Sequence, residues 1–278
     1  MRGTVDVALR RRWPSGLFLA VMWLLSGLLL GFILLPLLRL VTTTSMASLG
    51  HALADADLRA ALLLSVQDAA ITAVLATLLG VPLGYLLARR SFPGRAVVQA
   101  VVDLPLAVPH TVAGIALLFV FGRTGWIGAS AEAAGLSFYG SQAGIVVAML
   151  FVSAPFAVNS ARVAFEALDP NLERAARSLG ATPGQTFRRV SLPLAWRGAL
   201  TGAVLVYARS ISEFGAVVIL AYYPATAPVA IYNLFLSAGL TDSASAAVLL
   251  LVVALATFLV LRTLASGWLT ANTERARG

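Results

Sequence analysis

The sequence predicts an all-α integral membrane protein of six transmembrane helices with both termini in the cytoplasm. Apolar runs longer than eighteen residues recur along the chain, each long enough to cross a bilayer as helix. Mean hydropathy is +0.89, with 59% hydrophobic and 12% charged residues, a balance suited to helices in lipid. All 20 basic residues are arginine; sixteen fall on one side of the implied bilayer, three (Arg39, Arg59, Arg123) on the other, and Arg209 within a span. Such a bias follows the positive-inside rule and sets the arginine-rich side in the cytoplasm.

The first span, Gly16 to about Leu40, follows Arg2, Arg10, Arg11 and Arg12. Its apolar run exceeds that of a signal peptide, so it reads as a true crossing. Residues 42–60 read as an outer loop. The second span runs from about Leu62 to Leu87, and Arg89, Arg90 and Arg95 follow in an inner turn. The third, Val97 to Phe121, carries Pro105 and Pro109, which remove backbone donors and predict a kink or break. Residues 122–140 form an outer loop, and the fourth span is about Gln142 to Val163. A fifth runs from about Trp196 to Leu220, an outer loop spans about Tyr222 to Asp242, and the sixth is Ser245 to Leu264. Trp23, Trp126, Tyr222 and Tyr223 read as interface anchors. Three regions result: 1–60, a core of 61–264, and a cytoplasmic tail of 265–278.

Composition excludes several functions. The net charge of +8 and pI near 10.9 are a topology signal in a multi-span chain, so no nucleic-acid partner is expected. With no cysteine and two distant histidines, His51 and His110, no metal site is expected. A phosphate-binding P-loop requires a lysine, and this chain has none. No cofactor is expected on it; if transport consumes ATP, the ATPase is a separate subunit, and no catalytic residue is expected here.

Between the fourth and fifth spans lies a charged stretch, Asp169 to Pro193, reading DPNLERAARSLGATPGQTFRRVSLP. Flanked by bilayer-crossing runs, it must sit in water beside the membrane. Asp169 is an N-cap with Pro170 at the first helical position, and Gly180 stops that helix. Thr182 and Pro183 repeat the start, and Pro193 marks the beginning of the next apolar segment. Two short helices joined by a tight turn on a wet face suit docking. The stretch resembles the cytoplasmic coupling loop of ABC importer permeases, E-A-A, three residues, Gly, nine residues, Ile, one residue, Leu-Pro. Ala175, Ala176, Gly180, Val190, Leu192 and Pro193 fall on that spacing, with Val190 in place of Ile. Arg174 stands where the pattern has Glu, and Glu173 lies one residue earlier.

Polar groups within spans are the remaining candidates. Arg209 and Glu213 are four apart and can neutralise one another across a helix face. They read either as an internal packing pair or, with Ser210 and Ser212, as a pathway wall for an anion. Pro105, Pro109, His110 and Thr111 surround the expected break, whose freed N–H groups suit an oxyanion. Asp103 is expected to cap the broken half-helix, while Gln67 and Asp68 either bond a neighbouring helix or line a path. The segments LPLAVPHTVAGIALL at 104–118 and ARSISEFGAVVILAYYP at 208–224 resemble permeases of molybdate and tungstate importers, with sulfate and thiosulfate permeases as relatives.

Over about residues 61–264, that resemblance implies a type I permease core, with the first span as an added wrapping helix. It also implies a second copy of the chain, two cytoplasmic ATPase subunits at the coupling loop, an extracytoplasmic oxyanion-binding protein, and import of molybdate or tungstate through the cell membrane. Another class of function, an ion-coupled secondary transporter using Asp68, Asp103 or Glu213, leaves the docking loop unexplained.

Overall fold

The computed structural model describes residues 15–275, and the side chains of residues 16–263. The arginines at 2, 10, 11, 12 and 277, part of the expected topology signal, lie outside the described residues. Two compact units divide the chain, residues 1–46 and 47–278. In the first, helix α1 (Ser15–Thr43) is apolar over a membrane-crossing length, with a mean hydropathy of 2.5 over its most apolar stretch and Arg39 near its end.

All the regular secondary structure among the described residues of the second unit is helix. In chain order it holds α2 (Met46–Ala54), α3 (Ala56–Arg89), α4 (Arg95–Ala107), α5 (His110–Phe121), α6 (Gly128–Ala133) and α7 (Gln142–Glu166). The charged stretch follows as α8 (Pro170–Ser178) and α9 (Pro183–Thr186), and a wide π turn (Phe187–Ser191) leads into α10 (Leu192–Ser210). Then come α11 (Val217–Leu220), α12 (Ala227–Ala238) and α13 (Leu240–Arg275). Five helices can cross a membrane by length and composition, or six if the bent pair α4–α5 is one span, the predicted number.

The crossings α3/α7 and α7/α10 form the centre, and small residues make them close. On α3, a Cβ on Gly80 would lie 2.9 Å from Ala157 Cβ, and one on Gly84 2.8 Å from Ala161 Cβ. On α10, Gly198 and Gly202 face Ala164 and Ser160 in the same way. Helix α7 is thus gripped on two sides by glycines spaced four apart, the arrangement that lets backbones approach where lipid provides no hydrophobic drive between helices. Ala69, Ala73, Ala157, Val206 and Tyr207 fill the adjoining core.

Several boundaries differ from expectation for identifiable reasons. The outer loop at 42–60 is largely helix, because Asp55 caps α3, accepting from the N–H groups of Asp57 and Leu58. The third span breaks, as its prolines predict: α4 and α5 meet at 115°, since Pro109 cannot donate the bond that would join them. The second coupling helix is not a separate piece: α9 continues through the π turn into α10, whose first turn holds Pro193 as expected. One continuous helix runs Pro183–Ser210; Pro193 crowds the carbonyl four residues back, and the wide turn just before it, with Leu192 N–H reaching Phe187 O, gives that room. The fifth span ends at Ser210 instead of Leu220. The expected loop after it contains α12, and α13 extends well past both ends of the expected sixth span and through most of the expected tail.

Candidate functional site

The coupling stretch is built as a latched element. Asp169 accepts from Asn171 N–H at 2.9 Å to start α8, and Thr182 and Gln185 close a reciprocal capping box on α9. Between them Gly180 takes φ +89°, a left-handed conformation that glycine adopts without penalty. Glu173 is the buried residue of α8. Its carboxylate accepts from Arg89 Nε at 2.9 Å and from Ser191 Oγ at 2.8 Å, while Arg89 also donates to Leu168 O at 3.0 Å. One acid therefore ties α8 to the end of α3 and to the π turn. Beneath it Tyr85 packs edge-on to Phe165 and Phe187, with centroids 5.1 and 4.8 Å apart. Arg174 points away from this latch and bonds Asn171 Oδ1 at 3.1 Å. Leu179, at the tip, is 89% exposed.

The acid that matters to this fold is thus Glu173, and the offset from the permease pattern is a division of labour: Glu173 faces inward, Arg174 outward. Ala175, Gly180 and Pro193 are exposed, Ala176, Val190 and Leu192 partly so.

The second site is the junction where α4–α5 breaks and α10 ends. Glu213 is 1% exposed. Its Oε1 accepts from Ala216 N–H at 2.9 Å, and its Oε2 lies 2.7 Å from Arg209 Nη2 and 2.8 Å from His110 Nδ1. Arg209 Nη2 lies along the imidazole edge, 2.8 Å from Nδ1 and 3.0 Å from Nε2. With Nδ1–H donated to Glu213, Nε2 is the ring nitrogen that accepts from Arg209. Gly215 makes this fit possible, since a Cβ there would lie 2.6 Å from His110 Cβ. The side chains of His110 and Arg209 remain 39% and 26% exposed. No side chain caps α5, so its leading N–H groups and positive dipole end stand beside them.

The other expected pathway residues separate. Ser210 is buried and donates to Ser153 Oγ at 3.1 Å, which makes it a packing contact and removes it from any exposed wall. Ser212 is exposed and donates to Arg209 O. Thr111 and Pro109 are exposed at the start of α5, whereas Pro105 is buried. The Arg209–Glu213 pair forms, though across the end of α10 instead of along a helix face.

Asp103 does not cap α5. It accepts from Gln99 Nε2 and Asn159 Nδ2, both at 2.7 Å, and Gln99 also reaches Asn159 Oδ1 at 2.9 Å, so the triangle pins α4 to α7. The partners on neighbouring turns satisfy the acid before the helix end can. Asp68 likewise bonds Gln142 at 2.7 Å, joining α3 to α7, while Gln67 is exposed. Sequence reading missed His110 as a ligand of Glu213 and missed the glycine pairs on α3 and α10; the four-residue glycine spacing was the available signal.

The model of the family described as "Binding-protein-dependent transport system inner membrane component" matches residues 80–277. The molybdate/tungstate transport system permease protein WtpB of Thermococcus kodakarensis is 42% identical over 256 residues, covering 91% of this chain and 97% of that protein. A probable sulfate transport system permease protein, cysT of Chlorokybus atmophyticus, is 40% identical over 171 residues, 59% of this chain and 60% of that one. Among solved structures, a bacterial alginate ABC transporter in complex with an alginate pentasaccharide-bound periplasmic protein has a chain of the same fold, with TM-score 0.67 at 20% identity over 86% of this chain and 92% of that chain. This multi-pass membrane protein is therefore a transport component and belongs to the binding-protein-dependent transport system inner membrane component family, the permeases of ABC importers.

Proposed function

We propose that this chain is the permease subunit of an ATP-driven importer that carries a tetrahedral oxyanion, molybdate or tungstate, across the cell membrane. The observation that carries this reading is 42% identity to a molybdate/tungstate permease over 97% of that protein's length. Two copies of the chain form the path, two ATPase subunits meet the 169–193 elements, and an extracytoplasmic binding protein delivers the anion. ATP is bound and hydrolysed on the partner subunits, and this chain holds no cofactor.

The geometry supports a division of roles. The exposed faces of Arg174 and Leu179 meet the ATPase. Glu173 passes the resulting displacement to α3 and, through Ser191, to the helix Pro183–Ser210. That helix ends beside Arg209, so closure of the ATPase pair moves the group nearest the broken-helix junction. There Arg209 and the uncapped start of α5 offer donors to an oxyanion, His110 holds Arg209 in place, and Glu213 keeps the guanidinium from binding the anion too tightly to release.

Sulfate is the second reading, favoured by the similarity to the sulfate permease protein. The test is ATP hydrolysis by the permease–ATPase complex in liposomes with a binding protein loaded with molybdate, tungstate or sulfate. Stimulation by molybdate or tungstate alone is the expected result. Stimulation mainly by sulfate replaces the substrate and keeps the architecture; no stimulation by any, with an intact complex, overturns the importer reading. Uptake that persists without ATP and collapses with the proton gradient points to secondary transport instead.

A further inference from the structure

A polar concavity lies at the end of the bundle remote from the coupling element. Asp55 caps the first turn of α3, while Arg89 at the other end of that helix holds Glu173. The 34 residues between them span about 50 Å at about 1.5 Å per residue, the full thickness of a membrane. On the importer reading this is the outer face.

The cavity has a volume of about 270 Å³, and its walls include His51, Asp55, Leu58, Leu234, Asp242 and Ser245. They come from α2, α3, α12 and α13. No arginine lines it, and among the described residues neither Asp55 nor Asp242 makes an ion pair. Asp55 Oδ1 is occupied by the N–H groups of Asp57 and Leu58, which leaves its charge and second oxygen available. Ser245 is only 2% exposed, and its Oγ is buried without a hydrogen-bond partner. That hydroxyl is one hydrogen bond short, and Ser245 lies on the wall of the cavity.

These features define the missing group. It carries a positive charge, for two carboxylates; it has an N–H to give, for Ser245 Oγ; and it has an apolar stem, for the leucines opposite. A bare metal ion fits poorly, since no group of three acidic or histidine side chains among the described residues can hold one, and the leucine walls have no use for it. A lysine or arginine side chain meets all three demands, its methylenes along Leu58 and Leu234 and its head between the acids.

We propose that this pocket is a docking socket for a basic side chain of the extracytoplasmic oxyanion-binding protein, with Asp242 as its exposed anchor. The proposal rests on the importer reading, which provides that partner. It also assigns a task to acidic residues on the outer face, where the transported anion alone would favour their absence.

The test uses the complete permease–ATPase complex and the oxyanion-binding protein of the same importer. Affinity is measured by fluorescence titration for the native chain, Asp242→Asn and Asp242→Lys, with retention of the ATPase subunits as the folding control. We expect a loss of a few fold for Asp242→Asn and about tenfold for Asp242→Lys, both shrinking at high salt. Carbodiimide coupling adds a direct readout. The chain has no lysine, so an amide formed on Asp242 with a lysine side chain joins it to another polypeptide, and mass spectrometry identifies which. Unchanged affinity in both variants overturns the socket, as does competition by millimolar spermidine that is equal for the native chain and Asp242→Lys. If the native complex binds no binding protein at all while its subunits remain assembled, the importer reading itself fails, and the socket with it.

Discussion

Replacing Glu173 by alanine should unlatch the coupling helix while leaving the membrane bundle assembled. The carboxylate is buried, and its removal strands the Arg89 guanidinium, itself largely buried, and the buried Ser191 hydroxyl. Breaking a buried pair by deleting one partner costs about 3–5 kcal/mol. Arg89 retains its bond to Leu168 O, so the lower end applies, about 3 kcal/mol, or roughly a hundredfold shift toward the released state. Glu173→Gln keeps the shape and an acceptor for Ser191, and should cost about 1–2 kcal/mol. The assay pairs two measurements on the reconstituted complex: hydrogen exchange across 169–193, and ATP hydrolysis stimulated by the loaded binding protein. We expect exchange in α8 to accelerate by up to a hundredfold and stimulation to fall in step, with alanine worse than glutamine. Because the loss is local, detergent stability of the remaining helices should change little. Native exchange together with native stimulation in Glu173→Ala would refute the reasoning, since the latch would then carry no force.

Other substitutions separate shape from conformation. At Gly180 nothing lies within 4 Å of where a Cβ would sit, while φ is +89°, so conformation and not bulk decides; Gly180→Ala should cost about 1 kcal/mol and Gly180→Asn less, read as the order of uptake rates, and a strict dependence on side-chain volume would contradict this. Gly84→Ala brings a methyl within 2.8 Å of Ala161 Cβ and should lower thermal stability by about 1–3 kcal/mol, measured by thermal shift in detergent; an unchanged midpoint would mean α3 and α7 are not tightly packed there. Glu213→Gln leaves Arg209 and His110 without their shared buried anion and should cut oxyanion uptake at least about tenfold while the ATPase subunits stay bound; full uptake would remove the junction from the path.

The helical, multi-span architecture was legible because lipid imposes a simple rule: a helix long and apolar enough must cross. Local chemistry also carried the coupling element, since Asp169, Gly180 and Thr182 act through neighbours in sequence and need no tertiary knowledge. What sequence could not provide were contacts chosen among distant partners. Asp103 has a nearby helix end to cap, yet Gln99 and Asn159 satisfy it first. Ser210 has the position of a pathway donor beside Arg209, but the helix turns it toward Ser153. His110 joins Glu213 across 103 residues, a pairing no local pattern encodes. The boundary errors share one cause. Hydropathy treats an apolar run as a straight rod, whereas Ser210–Ala216 and Pro109 bend the chain within stretches that are continuous on that scale.

The wide turn at Phe187–Ser191 also fixes the phase of everything beyond it. Each residue of an α-helix advances the azimuth by about 100°, and the turn holds one residue more than an α turn would. Deleting a single residue there would restore a regular screw, yet it would rotate the far end by about a quarter of a circle relative to the coupling loop. Arg209 and Glu213, both beyond the turn, would then swing away from His110 on α5. The length of that turn is therefore as much a part of the junction's specification as the residues that meet in it, and two permeases with identical junction residues but turns of different length would not present the same surface to a passing anion.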